Sequence, residues 1–419
     1  MARCSVLAFG ARLRHPASIG HERSEGAPFP AMKVLFVSGE FPPMQGGVGD
    51  YTREIGLALR DLDCEVHVAT SIHAGPAPGL AVHPVVARWN WGCWGTLLGL
   101  VRGLQPDVVH IQYQAAAYAM HPAINFFPRR LRRIADRPRT LVTFHDLKVP
   151  YLFPKAGRVR RWAVMELARR CDAAIATNRE DLEGLQHEMG STPVLIPIGS
   201  NIAPSPPPAY DRAAWRARWG AGAGDLLLCF FGFINDRKGV DTLLHALKLL
   251  VADPQARTRP LLLFIGGQTG DSDPTNVEYL VRMRSLVIEL GLGEHVLWTG
   301  YVPPEEVSAN FLAADLCVLP FRDGVSFLHG TFHAALAHGL PIIATQPRLA
   351  LPELVDGGNV LFVPRGDPQA LAEAIVRLAV APDLRRALGK GAQALAQEFR
   401  WEKIAADTRA LYRTLCVGA

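Results

Sequence analysis

The chain has 419 residues, 49% hydrophobic and 20% charged, with a formal net charge of +5 at pH 7. That length exceeds one ordinary core, so two domains of roughly 150–200 residues each are expected, in a folded rather than disordered or fibrous protein. No apolar run reaches the ~18–20 residues needed to cross a bilayer. The seven cysteines are scattered and never spaced CxxC, which excludes a disulfide framework and a cysteine zinc site and favours a reducing, cytoplasmic compartment.

Residues 1–31 contain an apolar piece, CSVLAFGA, broken by Arg12, Arg14 and His15. This is too short and interrupted for a secretory segment. Met32-Lys33 directly precedes the first clean strand, so 1–31 reads as an unfolded leader or a misassigned start, with a transit peptide as the weaker alternative. From there short β-branched runs alternate with helix-period segments. VLFVSG (34–39), EVHVAT (65–70), VVHIQ (108–112), TLVTFH (140–145), AAIATN (173–178) and VLIPI (194–198) are the predicted strands of a first domain over 32–200. DYTREIGLALRDL (50–62) is a representative helix between them. Such runs are the mark of buried parallel strands with crossover helices.

NIAPSPPPAYD (201–211) continues neither a sheet nor a helix and reads as a linker. The alternation then restarts with LLLCFFGF (226–233), PLLLFIGG (260–267), HVLWTGY (295–301), DLCVLPF (315–321), PIIAT (341–345) and VLFV (360–363). This predicts a second domain over 212–394, followed by helix over 395–419. The fold class is α/β, with two doubly wound Rossmann-like domains. Ligands bind beyond the carboxyl ends of such strands, so the loops just after strands are the place to look.

Positive charge concentrates in RRLRRIADRPR (129–139) and KAGRVRRWAVMELARR (155–170). In the second segment Val159, Trp162, Ala163 and Leu167 are expected on one helical face, with Arg158, Arg161 and Arg169 elsewhere. Two readings stand: a solvated outer helix, or a surface for a lipid-phosphate acceptor or for anionic lipid headgroups at the inner face of a membrane. No aromatic residues interleave with the basic ones in a stacking pattern, which speaks against nucleic acid.

Three loops carry candidate chemistry. After the first strand, FPPMQGGVGDYT runs Gly46, Gly47 and Gly49 into a helix, either to present amides to an anion or as a plain tight turn. At the start of the second domain, GFINDRKGVDTLL places Lys238 before Gly239 and a helix. There its ammonium can meet a diphosphate, or simply be solvated at a helix entry. After DLCVLPF, the loop RDGVSFLHG leads into a helix from Thr331, with Gly330 and Thr331 placed to offer amides and a capping hydroxyl. Three such loops in order are more specific than any one.

In these motifs the chain resembles the GT-B glycosyltransferases, and within them family 4, the retaining, nucleotide-sugar-dependent enzymes. The likeness runs from about Met32 to the C-terminus. It rests on FPPMQGGVGDYT, TFHD (143–146), VLIPIGSNI, GFINDRKGVDTLL, VLWTGYVPPEEV, AHGLPIIAT and FRWEKIAADTRALY. The resemblance implies a cleft between the domains, with donor nucleotide on the C-terminal side and acceptor on the N-terminal side. It also implies a last helix that crosses back to the first domain, and transfer of a hexose to a glycan or lipid-linked acceptor. It places His145 against a sugar hydroxyl, with Asp146 orienting it or capping the next helix. No metal cofactor is expected, the nucleotide sugar being a co-substrate.

The departures from the family are specific. Ser326 and Ala334 stand where the family carries two glutamates, and Phe233 stands where it carries an arginine, while Lys238 is retained. A site so altered keeps Lys238, the Gly330 and Thr331 amides and the helix N-terminus, while Ser326, Asp323 or His329 are left to meet the sugar. A catalytically silent sugar-nucleotide- or glycan-binding protein on the same scaffold is the alternative. A dinucleotide oxidoreductase is disfavoured, because no GxGxxG follows a first strand. His329 and His333 lie four residues apart without a carboxylate or cysteine beside them, which argues against zinc. The triplet DSD (271–273) reads as turn and helix-start chemistry rather than a metal site.

Overall fold

The computed structural model describes residues 31–44, 46–147, 157–187, 192–254, 258–266 and 274–417. The triplet at 271–273 and all of the leader 1–31 except Ala31 lie outside them. The first sheet is built from β1 (Met32–Ser38), β2 (Cys64–Ser71), β3 (Ala81–Val86), β4 (Val108–Tyr113), β5 (Arg139–Phe144), β6 (Ala173–Ala176) and β7 (Val194–Leu195). Its helices are α1 (Gly47–Arg60), α2 (Cys93–Leu104), α3 (Ala123–Leu131), α4 (Gly157–Arg170) and α5 (Arg179–Gln186). The second sheet comprises β8 (Leu226–Phe231), β9 (Pro260–Ile265), β10 (Val296–Trp298), β11 (Leu316–Leu319), β12 (Ile342–Thr345) and β13 (Leu361–Val363). Around it run α6 (Arg212–Arg218), α7 (Val240–Ala252), α8 (Pro274–Glu289), α9 (Pro304–Ala313), α10 (Gly330–Ala337), α11 (Pro368–Ala379) and α12 (Pro382–Ala396), and α13 (Trp401–Val417) ends the chain.

Every strand pairing within the two sheets is parallel. The strand orders are β3-β2-β1-β4-β5-β6-β7 and β10-β9-β8-β11-β12-β13. In each, the order reverses once, between β1 and β4 and between β8 and β11. Strands buried on both faces need apolar side chains throughout, and Val34, Leu35, Phe36 and Val37 of β1 are fully buried. In α1 the buried residues Val48, Tyr51, Thr52, Ile55 and Leu59 recur every three or four positions, which lays one face on the sheet.

The last helix packs on the first sheet. Ile404, Ala405 and Tyr412 of α13 join the buried cluster formed by Val34, Phe36 and Val68. The Tyr412 hydroxyl meets His110 Nδ1 at 2.7 Å, and His110 Nε2 meets Thr143 Oγ1 at 2.7 Å. A buried polar chain thus ties α13 to β4 and β5. Among the described residues no helix is long and apolar enough to cross a membrane.

Candidate active site

The crevices of the two sheets open where strand order reverses, so the loops after β1 and β4 and after β8 and β11 frame the site. The second pair is stitched together tightly. Gly239 has a left-handed φ of +64°, and a Cβ there would lie 2.0 Å from the Pro320 carbonyl oxygen, so only glycine lets these loops approach. The Arg322 amide donates to the Arg237 carbonyl at 2.8 Å beside that contact.

This approach seats Lys238. Its Nζ lies 4.3 Å from the centre of the Phe321 ring, and no carboxylate among the described residues pairs with it. Burial pulls its pKa down from the ordinary lysine value to about 8. A largely desolvated ammonium without a counter-anion is a site prepared for one. Arg237 is exposed beside it, and Arg322 is spent on Asp241 at 2.6 Å. Phe233, at the position of the family's arginine, is 51% exposed.

The same ring reaches the third loop. His329 packs edge-on to Phe321 at 4.3 Å between centroids, so Phe321 joins Lys238 to the start of α10. His329 is the N-cap of that helix, which has no side-chain cap. Gly330 is exposed, and a Cβ on it would meet nothing within 4 Å. The expected capping hydroxyl is a correction: Thr331 Oγ1 donates instead to the Phe231 carbonyl at 3.0 Å, pinning α10 to the end of β8. Ser326 also turns inward, its Oγ accepting from the Leu328 amide and its own amide donating to His329 Nδ1, each at 3.3 Å. Asp323 is exposed in the turn before Gly324. Ala334 is fully buried. His333 is buried too, bonded to the Phe327 carbonyl and packed on Phe399, away from His329. No group of three His, Cys, Asp or Glu that could hold a metal occurs among the described residues.

Across the crevice, the glycine turn departs from the expected open amides. Glu40 Oε1 accepts from the Val48 and Gly49 amides at 3.1 and 3.3 Å. A Cβ on Gly46 would fall 2.0 Å from that carboxylate, whereas Gly47 faces open space. The start of α1 is therefore capped by the protein's own anion, and an incoming one must displace it. Burial, opposed by these two amides, leaves the Glu40 pKa raised.

His145, at the end of β5, is half-buried in dense surroundings. Its Nε2 meets Gln112 Oε1 at 2.9 Å and its ring stands edge-on to Tyr51 at 4.6 Å. Desolvation drives its pKa down to about 3, so the imidazole is neutral at physiological pH. With Nε2 donating to Gln112, Nδ1 is left as an acceptor. Tyr51 also meets Trp401 at 5.2 Å, and Trp401 Nε1 donates to the Ser200 carbonyl. Asp146 lines a small cavity with Tyr113, His121, Asn125 and Arg160. Sequence reasoning missed Phe321, Glu40, Tyr51 and Gln112. Phe321 ends the strand run DLCVLPF and Gln112 ends VVHIQ, so their positions at strand ends were the available signal.

Residues 225–380 match the model of the glycosyl transferases group 1, and residues 45–203 that of glycosyltransferase family 4. A D-inositol 3-phosphate glycosyltransferase of Streptomyces griseus subsp. griseus is 32% identical, over 98% of this chain and 94% of the relative. The chain belongs to the family 4 glycosyltransferases. Its fold is that of sucrose-phosphate synthase from Thermosynechococcus elongatus, with a TM-score of 0.73 at 22% identity, covering 93% of this chain and all of that one. HepE of Anabaena in complex with UDP gives 0.70 at 18% identity, covering 91% and 100%. The two α/β halves of this glycosyltransferase thus follow the GT-B architecture.

In the glycosyltransferase the halves also touch directly. Arg179 at the start of α5 forms an ion pair with Glu353, in the loop after β12.

Proposed function

We propose that this glycosyltransferase moves a hexosyl group from a nucleoside diphosphate sugar to a glycan or lipid-linked acceptor, with retention of anomeric configuration. The observation that carries the reading is Lys238, a desolvated ammonium without a carboxylate partner, joined through Phe321 to the uncapped start of α10. When the anomeric carbon–oxygen bond breaks, negative charge grows on the departing diphosphate. Fixed donors in a water-poor site stabilise that charge most. Lys238 and the Gly330 and Thr331 amides supply such donors, so transfer needs no metal. Neutral His145 accepts a hydrogen bond from a sugar hydroxyl through Nδ1, and Asp323 meets another from the opposite loop. The cavity lined by Tyr113, His121, Asn125, Asp146 and Arg160 receives the acceptor.

UDP sugars are the first donors to test, because solved neighbours of this fold hold UDP and UDP-glucose. The experiment is a thermal-shift screen against UDP-, GDP-, ADP- and TDP-sugars, followed by turnover of the stabilising donor with and without chelator. Specific donor binding raises the melting temperature by mass action, and hexosyl transfer continues in chelator. If no donor shifts the melt and none is consumed, the reading fails; a donor that shifts the melt without being consumed puts a silent sugar-nucleotide-binding protein in its place.

A further inference from the structure

The helices α2, α3 and α4, with the turns that lead into α2 and α3, bring together aromatic residues from three separate stretches of the sequence. Trp91 packs against Trp94 at 5.0 Å, His121 at 5.2 Å and Phe126 at 5.9 Å, and Phe126 packs against Trp162 at 5.6 Å. This cluster is not a core. Trp91 is 47% exposed, Trp162 49% and Val159 66%. The expected single apolar face on α4 is therefore split: Ala163 and Leu167 are buried, while Val159 and Trp162 project outward.

Arginines surround the patch. Arg130 lies over Trp94 at 4.7 Å, and Arg129 over Phe126 at 5.5 Å. Residues 123–139 and 157–170 carry eleven arginines against two acidic residues, Asp136 and Glu166. Glu166 is already held by Arg129 and Arg170, each at 2.6 Å. On the flank, α2 has no charged residue from Cys93 to Val101, although Gly95, Thr96 and Gly99 are exposed. A helix that faces water normally carries charge on its outer face.

Aromatic residues and arginines are thus interleaved in space. Base stacking still fits poorly. The Trp91 contacts with Trp94 and His121 are near-perpendicular, at 74° and 76°, so the rings occupy one another rather than offering free platforms. The uncharged α2 gives a phosphate backbone nothing to follow. Half-exposed indoles, a protruding valine, an uncharged helix face and a rim of arginines match the headgroup layer of an anionic bilayer.

We propose that the α2–α3–α4 face, centred on Trp91, Val159 and Trp162 and rimmed by Arg130 and Arg158, docks this enzyme on anionic membrane surfaces. His121 belongs both to the aromatic cluster and to the wall of the cavity with Asp146 and Arg160, so the docked face lies beside the acceptor seat. The link to a lipid-linked acceptor rests on the proposed function, whereas the docking does not.

The test is co-sedimentation of the full chain with phosphatidylcholine vesicles, with and without phosphatidylglycerol, alongside gel-shift with a single-stranded oligonucleotide. Binding should require phosphatidylglycerol and weaken with salt. R130A and R158A should each lower partitioning about five-fold, and the pair W91A/W162A should lower it further, with unchanged melting temperatures. Equal binding to neutral vesicles, no binding, oligonucleotide capture without vesicle binding, or undiminished binding of W91A/W162A would each overturn the inference. Transfer to a soluble acceptor is measured in parallel. Turnover without vesicle binding refutes docking alone, and vesicle binding without turnover refutes the catalytic reading alone.

Discussion

Replacing Lys238 with methionine should stabilise the donor-free enzyme while removing most of its activity. Burial lowers the lysine pKa from 10.5 to about 8, and each unit of such a shift corresponds to about 1.4 kcal/mol against the charged form. Water still reaches the group, and the Phe321 face returns about 0.5–2 kcal/mol, so the net cost is about 1 kcal/mol. In a chain of this size that is a rise of roughly 1–3 °C in melting temperature. The loss in catalysis is larger, since removing one donor to a developing oxyanion costs about 2.7–4 kcal/mol, or 10²- to 10³-fold in rate. The unfolded lysine keeps its proton up to about pH 10.5, so the penalty is present below pH 8. It fades as pH rises from there, and the stability gap between parent and variant closes with it. Thermal melts with and without donor, and initial rates, read all three quantities. A methionine variant that melts below the parent and keeps the same donor-induced shift would refute the reasoning.

Three further outcomes are expected. Tyr412→Phe removes the hydroxyl bonded to His110 Nδ1 and strands a buried ring nitrogen, which should cost about 1–3 kcal/mol in urea denaturation; an unchanged midpoint would contradict it. Gly324→Ala places a Cβ 2.2 Å from the Gln346 carbonyl at a φ of +80°, so the 323–329 loop should shift and donor-induced stabilisation should fall, while normal donor binding would show the turn to be dispensable. Burial holds His110 and His145 down to about 3 and His333 to about 4. The unfolded chain takes up these protons first, near pH 6.5, so stability should fall by about 1.4 kcal/mol per histidine for each pH unit lost below that value. Equal denaturation midpoints at pH 7 and pH 5 would rule this out.

Twelve of the thirteen strands among the described residues were legible as apolar runs, because a parallel strand covered on both faces has little choice of residue. β3 was not. AVHPVV holds a proline and several exposed positions, and it survives because it is an edge strand paired only to β2. Lys238 was legible from its place after a strand, but its partner Phe321 was not, since nothing along the chain says which ring lies beneath an ammonium. The glycine turn promised open amides, yet Glu40, a few residues upstream, folds back onto them. Thr331 was placed correctly, but its hydroxyl found the Phe231 carbonyl across the sheet rather than its own helix. The basic segments were visible as charge, whereas the tryptophans beside them come from α2 and the turn before it, and from α4's own outward side. Local pattern reports what an element is; only tertiary contact reports what each polar atom finds.

The bond between Tyr412 and His110 joins residues 302 positions apart, and this has a consequence for synthesis. The half of the molecule that leaves the ribosome first lacks Tyr412 until 302 residues beyond His110 have been made, so its apolar interior waits, incompletely covered, for α13 to arrive. The opening half is thus completed only after the second sheet has been made.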